Sequence, residues 1–111
     1  MDRDTERRRN IRLPLGAGVE CHVDMGGTRY VGPVRDLSMA GLFMLTGEQP
    51  VRPGMCTARL IFRGRYSDLE IDSLQGAVVR QDDDGFALAF THFLEWFSLV
   101  PLYLKKVQGE L

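Results

Sequence analysis

The chain has 111 residues, of which 44% are hydrophobic and 26% charged, and this composition is typical of one folded globular domain. A formal net charge of −1 excludes the strong positive field by which many nucleic-acid-binding domains attract their ligand, so no nucleic acid partner is expected. Because the N-terminus lacks an apolar signal segment and no apolar run approaches the ~20 residues that span a bilayer, we expect a cytoplasmic protein without membrane insertion.

The first predicted element is a polar arm over residues 1–12, which shows no apolar periodicity. Five of the chain's 12 arginines lie between Arg3 and Arg12, and acidic residues are interspersed among them. The planar guanidinium group forms paired hydrogen bonds to phosphate and to the acceptor edge of guanine. The arm is therefore either a solvated charged segment or a flexible arginine-rich arm that binds an anion.

Residues 13–107 are predicted to form one domain made mainly of short β-strands. Apolar and polar residues alternate over 19–25, the pattern of a half-buried strand, and Gly26-Gly27 predicts a hairpin turn into a second strand over 28–37. Further strands, separated by turns rich in glycine, proline and aspartate, are predicted over 42–45, 55–63, 69–80 and 86–90. This spacing indicates a small barrel or sandwich, and a barrel would leave no unpaired strand edge.

Two glycines inside these strands predict irregular backbone. Gly32-Pro33 indicates a bulge or an edge position in the second strand, since proline cannot donate to the hydrogen-bond ladder. Gly76 indicates a bulge or bend in the segment 69–80, which is one long strand or two short ones.

The hydrophobic period changes near the C-terminus. Aromatic and aliphatic residues spaced i, i+3, i+4, i+7 predict an amphipathic helix from about 92 to 107, with Thr91 as its N-cap. Pro101 predicts a kink or a break within it, because proline removes one helical hydrogen bond. The apolar stripe either packs onto the barrel or forms a surface for a partner.

A second motif, Asp36-x-Ser38-x-x-Gly41, follows the second strand. Residues i and i+2 of a strand share a face, so we expect the Asp36 and Ser38 side chains to point the same way. A carboxylate can accept hydrogen bonds from N1–H and N2–H of guanine, and Gly41 suits a tight turn that needs positive φ or close backbone approach. The alternative is an ordinary turn in which Asp and Ser bind their own backbone.

The combination of Arg8-x-x-x-Arg12 with Asp36-x-Ser38-x-x-Gly41 about 25 residues later resembles the PilZ domain family, bacterial receptors for cyclic di-GMP. The resemblance extends more weakly to 76–80 and 85–90. It implies an all-β fold, a six-stranded antiparallel Greek-key-like barrel with a C-terminal α-helix. It also implies that Arg8 and Arg12 hold phosphates and guanine, and that Asp36, Ser38 and Gly41 form the wall contributed by the barrel.

The resemblance also bears on stoichiometry. An arginine directly before the R-x-x-x-R motif, here Arg7, accompanies binding of two stacked cyclic di-GMP molecules in this family. Arg9 would add positive charge, so we expect two nucleotides per chain. Many members carry a large aromatic residue on the strand that here reads Ala77-Val78-Val79; Arg80 either replaces it by stacking or is an ordinary exposed residue.

The function expected from these residues is a non-catalytic cyclic di-GMP receptor, whose arm changes conformation on binding and which signals to an unidentified protein partner. We expect a monomer without other cofactors. No metal is expected, since the two histidines and two cysteines lack metal-ligand spacing, and no group of residues indicates an enzyme. The alternative is a PilZ-like protein-interaction module that does not bind nucleotide.

Overall fold

A computed structural model describes residues 13–15, 18–47 and 49–107. Their regular elements are seven β-strands, one 3₁₀ turn and one α-helix. The strands are β1 (Leu13–Pro14), β2 (Val19–Met25), β3 (Thr28–Leu37), β4 (Gly41–Leu45), β5 (Gly54–Phe62), β6 (Leu69–Gln81) and β7 (Gly85–Phe90); the 3₁₀ turn is Phe97–Leu99 and the helix, α1, is Val100–Val107.

The strands pair antiparallel in the order β1-β3-β2-β5-β6-β7-β4, and a further pairing of β3 with β4 closes the sheet. Strands β2 to β7 therefore form a six-stranded closed barrel, with the short β1 added beside β3. The predicted all-β antiparallel barrel with a C-terminal helix is confirmed. Segment 69–80, left open as one strand or two, belongs to a single strand, β6.

The β2–β3 hairpin forms where the sequence predicts it. Gly26 and Gly27 have φ angles of 57° and 85°, the left-handed values that a two-residue hairpin turn of this type requires. The flanking Met25 and Thr28 pair directly across the turn. Alternate residues of both strands then face a core that is filled mainly by aliphatic and aromatic side chains.

Three bulges interrupt the ladders, and none lies at the predicted glycines. On β3 the register skips Arg35, between the pairs Val34–Met44 and Asp36–Phe43. On β6 it skips Val79 against β7, and a further irregularity against β5 lies beside Ser73, whose φ is 61°. Gly76 pairs regularly with both neighbouring strands, and the β2–β3 register runs unbroken through Gly32-Pro33.

The C-terminal helix is shorter than predicted: it begins at Val100, not near residue 92, so the expected N-cap at Thr91 is wrong. The preceding segment uses its amide groups elsewhere, since Leu94 N–H donates to the Met39 carbonyl at 2.9 Å. Pro101 lies in the first helical turn, where its missing N–H costs no hydrogen bond. The predicted break at Pro101 is in fact where the helix starts.

Most of the apolar stripe packs onto the barrel. Val100 is fully buried, and Trp96, Phe97 and Leu104 pack partly buried against the core. The Tyr103 ring lies edge-on to the Phe62 ring, with centroids 6.4 Å apart. None of the described helices is long and apolar enough to cross a membrane.

Candidate functional site

The outer surface of strands β3, β4, β7 and β6 brings the described motif residues together. Asp36 on β3 pairs with Phe43 on β4, Phe43 pairs with Ala87 on β7, and Ala87 pairs with Arg80 on β6. Because directly paired residues of antiparallel strands share a face, these side chains form one row across the outside of the barrel. An acidic group stands at one end of this row and a guanidinium group at the other.

A second row runs beside the first. The Ser38 N–H donates to the Gly41 carbonyl at 2.8 Å, Gly41 pairs with Ala89, and Ala89 pairs with Ala77. The three strand residues of this row carry at most a methyl group. Together with Ala87 they leave a shallow strip of surface on which a flat ligand can approach the backbone.

The bulge at Arg35 decides which way Asp36 points. Val34 and Leu37 both face the core and are fully or almost fully buried, yet they are separated by two residues instead of one. Simple alternation from Val34 would have turned Asp36 into the core. The extra residue places Arg35 and Asp36 together on the outer face, where Asp36 is 9% exposed.

Arg35 and Phe43 belong to this site and were missed in the sequence. The Arg35 Nε donates to Asp36 Oδ2 at 2.9 Å, and its Cζ lies 3.9 Å from the centroid of the Phe43 ring. Phe43 is fully buried although it is not part of the core cluster. The sequence contained little to indicate either residue. Phe43 lies in an apolar run and therefore resembles a core residue. Arg35 is the strand neighbour of Asp36, and such neighbours normally face opposite sides of a sheet.

Ser38 forms the turn. Its hydroxyl oxygen accepts from the amides of Ala40 at 3.3 Å and Gly41 at 3.2 Å, and the hydroxyl also lies 3.2 Å from the Gly41 carbonyl oxygen. Ser38 lies just beyond the last residue of β3, so strand alternation does not govern it, and it is 3% exposed. The ordinary-turn alternative therefore describes Ser38, while Asp36 projects outward.

Glycine is required at position 41 because the backbone of β7 passes close to it, and not because of its φ angle, which lies outside the left-handed region. A Cβ at this position would overlap the Leu88 carbonyl oxygen and lie 3.2 Å from the Ala89 Cα. The turn from Ser38 to Gly41 is also held by β7, since the Phe90 N–H donates to the Ala40 carbonyl at 2.7 Å. The motif is thus tied to β7 by backbone contacts on both sides.

The β6 end of the strip carries no aromatic side chain. Val78 faces the core, whereas the bulge turns both Val79 and Arg80 outward, and Val79 is 57% exposed. Arg80 is exposed as well. Its place in the row with Asp36 leaves both earlier alternatives for Arg80 open, a stacking residue or an ordinary surface residue.

The arginines of the arm, Arg7, Arg8, Arg9 and Arg12, lie outside the described residues. The structure does fix where the chain continues from them. Leu13 pairs with Leu37, and Pro14 pairs with Asp36. The chain that leaves the arm therefore enters the barrel directly beside the Asp36 motif.

The opposite side of the barrel carries a separate charged cluster. Glu20 Oε1 lies 2.9 Å from His22 Nε2 and also accepts from Arg63, whose other terminal nitrogen donates to Asp68 at 2.9 Å. The hydrogen bonds from His22 and Arg63 lower the pKa of Glu20. Within the described part of the chain no three His, Cys, Asp or Glu residues form a group that could hold a metal ion.

A groove of about 490 Å³ opens between Ser73–Gln75 and residues 90–96. The hydrogen bond from Thr91 N–H to the Gln75 carbonyl, 2.8 Å long, ends the ladder between β6 and the chain leaving β7. Beyond it the two segments diverge. The groove is lined by none of the motif residues.

Comparison with known proteins gives a family and a fold. The family model of the PilZ domain matches residues 6–95. A crystal structure of an uncharacterised Legionella protein superposes with a TM-score of 0.47 at 17% identity, covering 90% of this chain and 96% of that one. That likeness is too distant to bear on function, and no curated protein matches the chain.

Proposed function

Since the chain belongs to the PilZ domain family, whose members generally bind cyclic di-GMP and act as binding modules, we propose that it is a non-catalytic cyclic di-GMP receptor that signals to a protein partner. The observation that carries this proposal is the position of Asp36. A bulge turns its carboxylate out of the core onto a strip of small residues, in one row with Arg80.

The Asp36 carboxylate supplies acceptors for the N1–H and N2–H donors of a guanine base. The strip formed by Gly41, Ala77, Ala87 and Ala89 carries no side chain larger than a methyl group, so the flat base and the sugar–phosphate ring can pack close to the backbone there. Ser38 and Gly41 contribute by fixing the turn that carries the wall. Arg80 closes the far end of the strip with a positive charge.

The arginine arm provides the phosphate contacts. Arg12 is covalently joined to Leu13, so the Cα atoms of these two residues are about 3.8 Å apart, and Leu13 pairs with Leu37 next to the Asp36 motif. Arg8 is four residues further, within about 14 Å of chain even when fully extended. Both guanidinium groups can reach a ligand on the strip, and we propose that the arm closes over the bound nucleotide.

A stacked pair of nucleotides carries four phosphate charges, which favours the additional arginines Arg7 and Arg9 as phosphate partners. We therefore propose two cyclic di-GMP molecules per chain. The conformational change of the arm would present a different surface to the partner, which couples nucleotide concentration to signalling.

Isothermal titration calorimetry with cyclic di-GMP tests binding and stoichiometry together. We expect saturation at two nucleotides per chain. Arg12→Ala and Asp36→Asn should each weaken binding about 10- to 100-fold, the worth of a charge-assisted hydrogen bond. Arg3→Ala, in the same arm but outside the motif, is the matched control for Arg12, and Asp24→Asn, also ion-paired with an arginine of β3, is the control for Asp36.

The outcomes separate the alternatives. Saturation at one nucleotide per chain would reject the stacked pair, but the chain would still be a cyclic di-GMP receptor. The absence of any heat with wild-type protein at concentrations of tens of micromolar would reject the receptor and support the nucleotide-independent interaction module. Hydrogen exchange of residues 1–12 with and without nucleotide tests the arm: unchanged exchange in the saturated complex would contradict closure.

A further inference from the structure

The Arg35 side chain is held in place although 47% of it is exposed. Its Nε–H donates to Asp36 at 2.9 Å, and its guanidinium carbon lies 3.9 Å from the centre of the Phe43 ring. This distance allows the planar group to stack on the ring, and the ring itself is fully buried. A side chain fixed in this way loses little further conformational entropy when a ligand binds.

The fixed guanidinium group keeps most of its hydrogen-bonding capacity for a ligand. Arginine has five N–H donors, and the Asp36 pair uses the single one on Nε. Among residues 13–15, 18–47 and 49–107, neither terminal nitrogen of Arg35 has a hydrogen-bond partner. The exposed side of the ion pair therefore presents donors from Arg35 beside the carboxylate of Asp36, which is itself 9% exposed.

Guanine carries the complementary pattern along one edge. N7 and O6 are acceptors and suit a bidentate arginine, while the adjacent N1–H and N2–H are donors and suit a carboxylate. Adenine keeps the N7 acceptor but has a donor amino group at position 6 and an acceptor at N1, the opposite of guanine at both of these positions. An arginine and an aspartate held side by side on the outer face of the barrel therefore match guanine and mismatch adenine.

We propose that Arg35 is a specificity-determining residue of the nucleotide site: it donates to N7 and O6 of a guanine whose N1–H and N2–H are bound by Asp36. This inference rests on the proposed cyclic di-GMP function and assigns a base contact that lies outside the R-x-x-x-R and D-x-S-x-x-G motifs. The bulge that turns both side chains outward makes the arrangement possible, and the Phe43 ring orients it.

The simpler role for Arg35 is to offset the charge of Asp36, so that the wall does not repel an anionic ligand. The two roles predict different results. Charge compensation acts alike on every dinucleotide of the same charge, whereas base recognition depends on the acceptor atoms of guanine. A ligand that differs from cyclic di-GMP at one atom therefore distinguishes them.

The experiment measures the binding of three ligands by calorimetry: cyclic di-GMP, its 7-deaza analogue, in which C–H replaces N7, and cyclic di-AMP. The variants are Arg35→Lys, which keeps the charge but loses the planar donor pair, and Arg35→Gln. Arg29 offers a matched control, since it lies on the same strand and its Nε also donates to an aspartate, Asp24, at 2.9 Å. Arg29→Lys and Arg29→Gln should bind all ligands as the wild type does.

We expect wild-type protein to bind the 7-deaza analogue about 10-fold more weakly than cyclic di-GMP, the worth of one hydrogen bond from a charged donor. In Arg35→Lys and Arg35→Gln this difference should shrink to less than twofold. Both variants should bind cyclic di-GMP about 10- to 100-fold more weakly, and their preference over cyclic di-AMP should fall. Thermal unfolding of each variant shows whether the fold is retained.

Several results would overturn the inference while the receptor function stands. The first is that wild-type protein binds the 7-deaza analogue as tightly as cyclic di-GMP. The second is that the Arg35→Lys variant discriminates between these two ligands as the wild type does. The third is that the Arg35 variants lose the same affinity for all three ligands. Wild-type protein that binds none of them would instead overturn the proposed function itself. If Arg35→Gln fails to fold, the charge-retaining Arg35→Lys variant decides the question.

Discussion

Replacement of Gly41 by alanine tests why the motif ends in glycine. Strands β4 and β7 pass so closely at this point that a Cβ would overlap the Leu88 carbonyl oxygen and lie 3.2 Å from both the Leu88 carbonyl carbon and the Ala89 Cα. All three obstructing atoms belong to the backbone. No side-chain rotation can relieve the overlap, so the two strands must separate.

The magnitude follows from that geometry. Overpacking costs roughly 1–3 kcal/mol when side chains can adjust, and a backbone obstruction belongs at the upper end, about 3 kcal/mol. For a domain of this length 1 kcal/mol shifts the unfolding midpoint by about 4 °C, so Gly41→Ala should unfold about 12 °C below wild type. The separated strands also displace Ala87 and Ala89, so nucleotide affinity should fall in the fraction that remains folded.

Thermal and urea unfolding, followed by circular dichroism, measure the effect. Gly47→Ala is the matched control: Gly47 has a φ of 67° and no atom within 4 Å of its hypothetical Cβ, so it isolates backbone strain, about 1 kcal/mol. If Gly41→Ala unfolds within 4 °C of wild type, or no lower than Gly47→Ala, the close-approach explanation is wrong. A loss of affinity without a loss of stability would instead indicate direct contact with the ligand.

Three further predictions concern other parts of the molecule. Ser38→Ala removes the acceptor of two turn amides through rather long hydrogen bonds, so it should lower the free energy of unfolding by about 1 kcal/mol in urea titrations, and an unchanged value would contradict this role. Burial raises the pKa of the Cys21 thiol to about 12. The protonated thiol is therefore favoured in the folded state, and its contribution to the free energy of unfolding is complete at neutral pH. This contribution is lost between about pH 8.5, the ordinary thiol pKa, and about pH 12, at up to about 1.4 kcal/mol per pH unit. Cys21→Ala should unfold with a smaller alkaline loss than wild type, and an identical pH profile would refute this. The fold lowers the pKa of Glu20 below its ordinary value near 4.5, so the ionised carboxylate stabilises the fold above that pH. This contribution to the free energy of unfolding is lost as the pH falls through the lowered pKa. Glu20→Gln should therefore show a flatter acid denaturation curve, with Glu70→Gln, whose contact with Arg59 is 3.9 Å, as the control.

Local pattern was sufficient for the barrel strands. The predicted strands over 19–25 and 28–37 coincide with β2 and β3, because alternating burial and the Gly26-Gly27 turn depend on residues close in sequence. The helix start was not predictable in this way. Residues 92–96 carry a helical period, but the Leu94 amide is hydrogen-bonded to Met39, a contact that no local pattern encodes.

The candidate site was likewise predictable from the sequence only in part. The motif predicted Asp36 as a ligand-binding residue, but the reasoning behind that prediction assumed an unbroken strand. The bulge at Arg35 decides that Asp36 faces outward, and it arises from the register between β3 and β4. The contact of Arg35 with Phe43 has the same origin, since it joins strands across the turn.

The sequence by itself determined the strand segments, the hairpin turn, the family and the residue types that we propose as the nucleotide site, because these depend on residue type and short-range spacing. The tertiary structure decided that Asp36, Phe43, Ala87 and Arg80 form one row. That row depends on hydrogen-bond register between strands distant in sequence, and a shift of one residue reverses the face of every side chain that follows. Two bulges set this register; the spacing of Val34 and Leu37 is compatible with the first, but which strands pair across each bulge depends on residues distant in sequence.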